Sequence, residues 1–268
     1  MSMGRRREAQ QQDLWVAATE LPRSPGHAFY DRLNALLAEA GFDRHAEGLC
    51  QGHYADGVGR ESVPPGVYFR MLFLGYFEGL DSQRAIAWRC SDSLPLRAFL
   101  GVGLAEATPD HSSLTRIRQR LPLEVHERVF LFVLTVAHER KLLRGKTVAV
   151  DSTTLEANAA MRSIVRRDTG EGYKDYLKRL LAEEGVESPT DEDARRFDRG
   201  RKEKGSNQEW GSPADPDSRI ARMKDGTTQL AYKAEHVVDL GSNLVLAAEV
   251  YHADQADSST LLDSVTSA

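Results

Sequence analysis

The pattern of this chain changes once, at Lys146, and that change limits the fold more than any other feature. Before it, apolar residues recur at helical spacing; after it, Thr147–Val150 reads as a buried strand. Further on, Gln229–Leu240 and Asn243–Ala253 flank Gly241-Ser242, the signal of two strands around a two-residue hairpin turn. Helices first and strands later make an α+β chain the expectation.

Residues 1–23 read as a flexible N-terminal arm, and 24–145 as an all-helical domain. Ser24 and Pro25 offer an N-cap and a first-turn proline, and Gly41 a stop. A Gly-rich loop follows from Cys50. Val67–Leu80 is apolar nearly all round, so it is expected to be a central helix whose aromatic residues, Phe69, Phe73, Tyr76 and Phe77, lie in the core. "DSQRAIAWRCSD" begins with a cap at Asp81 or Ser82, and "DHSSLTRIRQRL" begins near Asp110. A long helix from about Leu123 to Leu143 ends in basic residues, which suit a helix C-terminus.

Residues 146–268 form the second expected domain, with an insertion at 161–228. "GYKDYLKRLLAEEG" sets Tyr173, Tyr176, Leu177, Leu180 and Leu181 on one face, and "TDEDARRFDRGRKEK" has acids first and bases last. "GSPADPDSRIARMKDGT" is turn-rich and reads as a loop. The insertion carries fifteen acids and fifteen bases, so it is no simple phosphate clamp. A last helix begins around Ser258 or Ser259.

Charged residues make up 28% of the chain and hydrophobic residues 41%, as in globular proteins. The longest apolar stretch, Val129–Ala137, is far short of the ~20 residues that span a bilayer. No signal-type segment follows the basic N-terminus, so a cytoplasmic location is expected. Cys50 and Cys90 form no disulfide framework. A net charge of −5 argues against a general nucleic-acid coat. Yet Arg97, Arg116, Arg118 and Arg120 make one segment locally basic. The helix with the last three suits phosphate and base contacts, or is simply a solvated face.

Asp151 follows the strand directly. An unpaired charge at a sheet's core costs several kcal/mol, so it needs a partner, a metal or a task. It is either a metal-binding carboxylate or a cap on the turn after the strand. Gly145-Lys146-Thr147 mimics the tail of a phosphate-binding loop, but Arg140 stands where that pattern needs glycine, and the strand and helix are in the wrong order. The histidines show no ligand spacing, so zinc is not expected.

The segment "PPGVYFRMLFLGYFEGLDSQRAIAWRCSDSLPLRAFLGVGLAEATPDHSSLTRIRQRL" resembles the helical N-terminal domain of bacterial insertion-sequence transposases, of the InsH type. "VAVDSTTLEANAA" resembles the first catalytic strand of their DDE domain, and "SPADPDSRIARMKDGTTQLAYKAEHVVDL" the approach to its second strand. The likeness runs from about Pro25 to the last residue. It implies a ribonuclease-H-like domain with a mixed sheet. In that family two Asp and one Glu hold two divalent ions, Mg²⁺ or Mn²⁺, that cut and join phosphodiesters. Asp151 matches the first Asp. Asp254 and Asp257 do not match the second, which in the family lies on a fourth strand, with the Glu on a later helix. The resemblance thus implies a partial DDE domain in a C-terminally truncated chain, with an exposed sheet edge. The implied partner is double-stranded DNA at terminal inverted repeats, with a homo-oligomer or a mixed oligomer with intact transposase. Arg162, Arg166 and Arg167 are further DNA-contact candidates beside Asp151. Two functions follow: transposition of an insertion sequence, or a catalytically inactive DNA-binding fragment that regulates an intact enzyme.

Overall fold

The computed structural model describes residues 26–55, 59, 61–201, 205–223 and 225–268. The arm at 1–23 and the cap expected at Ser24 and Pro25 lie outside them. The chain divides into two compact units, Met1–Val136 and Ala137–Ala268. The architecture is α+β, helical first and then a small sheet, as the change of pattern at Lys146 requires.

The first unit contains α1 (Ala28–Glu39), α2 (Phe42–Cys50), α3 (Pro65–Phe77), α4 (Gln83–Asp92), α5 (Leu94–Leu100) and α6 (His111–Arg120). Helix α7 (Leu123–Glu139) runs on past Val136. Gly41, at φ 71°, turns the chain between α1 and α2 in a conformation that a side chain would disfavour. Two starts are capped as expected: Ser82 accepts from the Ala85 N–H at 3.2 Å, and Asp110 from the Ser112 and Ser113 N–H groups. Helix α7 stops four residues short of Leu143, and Lys141 follows it at φ 58°.

Helix α3 lies at the centre of this unit, packed by α2, α4 and α5. Tyr68, Phe69, Met71 and Leu74 are buried in one cluster with Phe42, Ile86, Leu96, Phe99, Leu114 and Ile117. The Tyr68 hydroxyl donates to Nε2 of His126 on α7 at 3.0 Å, while Nδ1 of that ring faces the Pro122 carbonyl. One expectation fails at the end of α3. Tyr76 is 77% exposed and Phe77 nearly half exposed, although the Phe77 ring meets Phe29 of α1 edge to face at 4.9 Å. Conversely, Arg70 is buried. It reaches Asp43 with both terminal nitrogens, Asn34 at 3.1 Å and the Gly66 carbonyl at 3.2 Å, under the rings of Phe42 and Phe99. Burial of this cation is tolerable because every side of it is partnered.

The second unit is built on β5 (Thr228–Asp239). Strand β1 (Val148–Glu156) pairs with one edge of it, and β6 (Leu244–His252) and β4 (Arg219–Arg222) with the other. All pairings among the described residues are antiparallel, where the resemblance implied a mixed sheet. The β5–β6 connection is also longer than the expected two-residue turn: Leu240–Asn243 separate the strands. Its centre is Asp239, whose carboxylate accepts from the Arg144 N–H (2.8 Å), the Gly241 N–H (3.0 Å) and the Ser242 hydroxyl (2.7 Å). Those donors, the Arg144 N–H first, hold its carboxyl down at about 2.

The 161–228 segment contains β2 (Val165–Arg166), α8 (Tyr173–Glu183), α9 (Asp191–Gly200), β3 (Trp210–Gly211) and β4. The stretch expected to be a loop therefore supplies one short strand, β4, and the last residue of β3. Trp210 is buried against Tyr173 and Tyr176, which gives this small module its own apolar centre. Helix α10 (Asp257–Thr266) closes the described chain. No described helix is long and apolar enough to cross a membrane.

Candidate functional site

Asp151 does not end its strand. Strand β1 continues five residues beyond it to Glu156, and Asp151 is solvent-exposed in register with His236, itself exposed. The desolvation argument made from the sequence therefore does not hold: β1 is an edge strand, and the Asp151 face is open. Oδ1 of Asp151 accepts from the N–H of Ser152 at 2.9 Å.

The metal pair that the resemblance implies calls for two further acids beside Asp151. Among the described residues no three His, Cys, Asp or Glu side chains come together in a way that could hold a metal. Asp254 accepts from the Asn207 amide at 3.0 Å, and Asp257 is tied to Ser152 and Lys233. The residues brought to Asp151 do not fit the metal pair that the resemblance implies.

The opposite face of the sheet holds a network that sequence reading missed. Ser152, Glu235 and Glu249 lie abreast there, as do Thr154, Lys233 and Tyr251. Glu235 is 1% exposed and Lys233 6%, and their charged atoms are 2.7 Å apart. Helix α10 completes the network with polar side chains. Thr260 accepts from Lys233 Nζ at 2.8 Å and donates to Glu235; Ser264 donates to Glu235 at 2.6 Å and meets the Tyr251 hydroxyl at 3.0 Å. Lys233 also reaches Asp257 at 3.2 Å, which accepts from the Ser152 hydroxyl at 3.1 Å. Burial alone would lower the Lys233 pKa and raise that of Glu235. Their hydrogen bonds and opposite charges outweigh it, so Lys233 is shifted up and Glu235 down. The period-two pattern of "AYKAEHVV" was the available signal: it sets Lys233, Glu235 and the buried Val237 on one face.

The candidate arginines fall into two groups. Arg97 is committed to its own chain, donating to the carbonyls of Gly103, Leu104 and Glu106. So is Arg167, whose Nε points at the carbonyls of Asn207 and Trp210. Arg166 is held by Asp168 through two bonds of 2.9 Å and lies over Tyr176 and Trp210. In contrast Arg116, Arg118, Arg120 and Arg162 are exposed. Arg116 touches the Ser112 hydroxyl, and Arg120 lies over the Tyr54 ring. The three on α6 project from a helix whose inner side, Leu114 and Ile117, is buried.

No curated protein and no solved structure matches this chain. Residues 19–120, a range that takes in α1 to α6, match the family model of a transposase domain, DUF772, and this likeness supports a transposase-family role for the chain.

Proposed function

We propose that this chain serves the transposition of an insertion sequence by binding double-stranded DNA at the element's terminal inverted repeats. The transposase-domain match over residues 19–120 is the observation that carries this reading. The exposed arginines of α6 support it: a capped helix bearing solvent-exposed cations suits phosphate contacts. Gel shift on the terminal repeats tests it. Retardation that weakens steeply with salt is expected, and no retardation at low salt refutes it.

In the catalytic form of this reading Asp151 would be the first acid of a phosphodiester-cutting site using Mg²⁺ or Mn²⁺, although the described residues brought to it do not complete a metal-binding set. The second reading is a regulatory DNA-binding protein without catalysis, alone or in a mixed oligomer with a catalytically active transposase. The incomplete donor set around Asp151 among the described residues favours it. A strand-cleavage assay with either ion separates the two. Cleavage abolished by Asp151→Asn, with binding retained, supports the first; binding without cleavage supports the second.

A further inference from the structure

Helix α6 turns one stripe of hydrogen-bonding side chains away from its packed side. Leu114, Ile117 and the following Leu121 are buried. At about 3.6 residues per turn, the side opposite them carries Ser112, Arg116 and Gln119, spaced i, i+4 and i+7. Arg118 and Arg120 lie roughly 90–110° to either side of that stripe. Thr115, which borders it, is bonded to the Gln83 side chain of α4. Arg116 and Gln119 are exposed. Nη2 of Arg116 donates to the Ser112 hydroxyl at 2.9 Å, which holds the guanidinium along the stripe. Arg120 is held differently, over the Tyr54 ring at 4.8 Å. The start of α6 is closed to a phosphate. A helix N-terminus usually offers its unpaired N–H groups to an anion. Here the Asp110 carboxylate already accepts from the Ser112 and Ser113 N–H groups at 2.6 and 3.0 Å, and it repels a second anion.

We propose that α6 lies in the DNA major groove and reads two neighbouring base pairs, with Arg116 on a guanine and Gln119 on an adenine. Arg118 and Arg120 face the phosphates on either side of the groove. This rests on the DNA-binding reading above and adds which side chains choose the sequence. With Asp110 occupying the helix start, the central stripe meets base edges rather than the backbone. Arginine matches guanine O6 and N7, and glutamine matches adenine N6 and N7. A helix about 10–12 Å across fits a groove about 12 Å wide. Arg116 and Gln119 are about 4.5 Å apart along the helix axis, close to one base-pair rise of about 3.4 Å. The chain's net charge of −5 gives little general attraction for DNA, so discrimination falls to these contacts.

Selection by the full chain from duplexes with a randomised centre tests this, followed by gel shift on the selected duplex. The unmodified chain should select a site with neighbouring guanine and adenine. Arg116→Ala should lose roughly ten- to hundredfold discrimination at the guanine alone, and Gln119→Ala at the adenine alone. Arg118→Gln and Arg120→Gln should weaken binding to all duplexes alike, each lowering the salt slope by roughly one, with the preference unchanged. If an Arg116 variant does not fold, 7-deazaguanine at the selected position serves with the unmodified chain. That base lacks the N7 acceptor, so binding should fall about tenfold, and undiminished binding overturns the assignment. No retardation of any duplex overturns the DNA-binding reading and this inference together. Binding without sequence preference, or with a preference that survives both alanine substitutions, overturns this inference alone.

Discussion

At the scale of single residues, the consequential acids are those whose surroundings fix their charge. Asp151 has open surroundings, so Asp151→Asn should leave thermal stability within about 0.5 kcal/mol, as for exposed positions generally. Glu235 behaves oppositely. Glu235→Ala removes the buried partner of the Lys233 ammonium, leaving it Thr260 and the exposed Asp257, and should cost up to about 3–5 kcal/mol in denaturant unfolding. Replacing the pair together, Lys233→Met with Glu235→Leu, should cost much less than the sum of the single changes. The pH dependence follows from the signs. Glu235 and Asp239 have lowered pKa values when folded. Their stabilisation is complete above the unfolded values of about 4 and is lost as pH falls through the folded ones, to about 2 for Asp239. Lys233 is raised, so its contribution is intact below about 10.4, the unfolded value, and is lost as pH rises through the folded one. Unfolding melts across pH should show an acid limb that Glu235→Gln reduces; an unchanged limb would assign it to other groups. For DNA, each of Arg116, Arg118 and Arg120 changed to Gln should lower affinity and reduce the salt slope by roughly one where it contacts phosphate.

At the scale of elements, what holds each one differs from what formed it. Helix α3 starts at a proline, and with two glycines and five aromatic residues among its thirteen it is held by apolar packing rather than by intrinsic propensity. Leu74→Ala should therefore cost about 2–5 kcal/mol, read by chemical denaturation. Helix α10 has the reverse arrangement. Its buried residues are the polar Thr260 and Ser264, with the exposed Asp257 reaching Lys233 from the first turn, while Leu261, Leu262 and Val265 are exposed. Its attachment rests on directional hydrogen bonds, so Thr260→Val, which preserves shape and removes the hydroxyl, should loosen it. The signature is faster amide exchange confined to α10 and its contacts; unaltered exchange would show that packing alone suffices. Element types were legible where a pattern was long. The periodicity of α7 and α8 and the alternation of β5 could be read directly. Strand β4 could not, because its four residues sit among prolines and aspartates that signal turns. Strand β1 was read six residues too short at its end, since Ser152, Thr153 and Thr154 look like a polar loop until pairing with β5 is seen.

For the whole molecule, the two units differ in their interiors. The first holds one extensive apolar cluster around α3, whereas the second has two small clusters and a buried ionic network. Calorimetry should resolve two transitions, with the unit from Ala137 onward melting at the lower temperature and Trp210 fluorescence reporting it. A single transition followed equally by both units would contradict this. The sequence by itself determined the order of helical and strand-forming segments, the caps at Ser82 and Asp110, and the candidacy of Asp151 and the α6 arginines, because period, capping chemistry and motif are local properties. Only the tertiary structure decided that Asp151 faces solvent beside His236, that Arg97 and Arg167 are spent on backbone carbonyls, and that Lys233 and Glu235 are buried together beneath α10. Burial and partnership depend on which distant segments are brought alongside, here Asp257–Ser264 over residues 233–235, and no local pattern encodes that meeting.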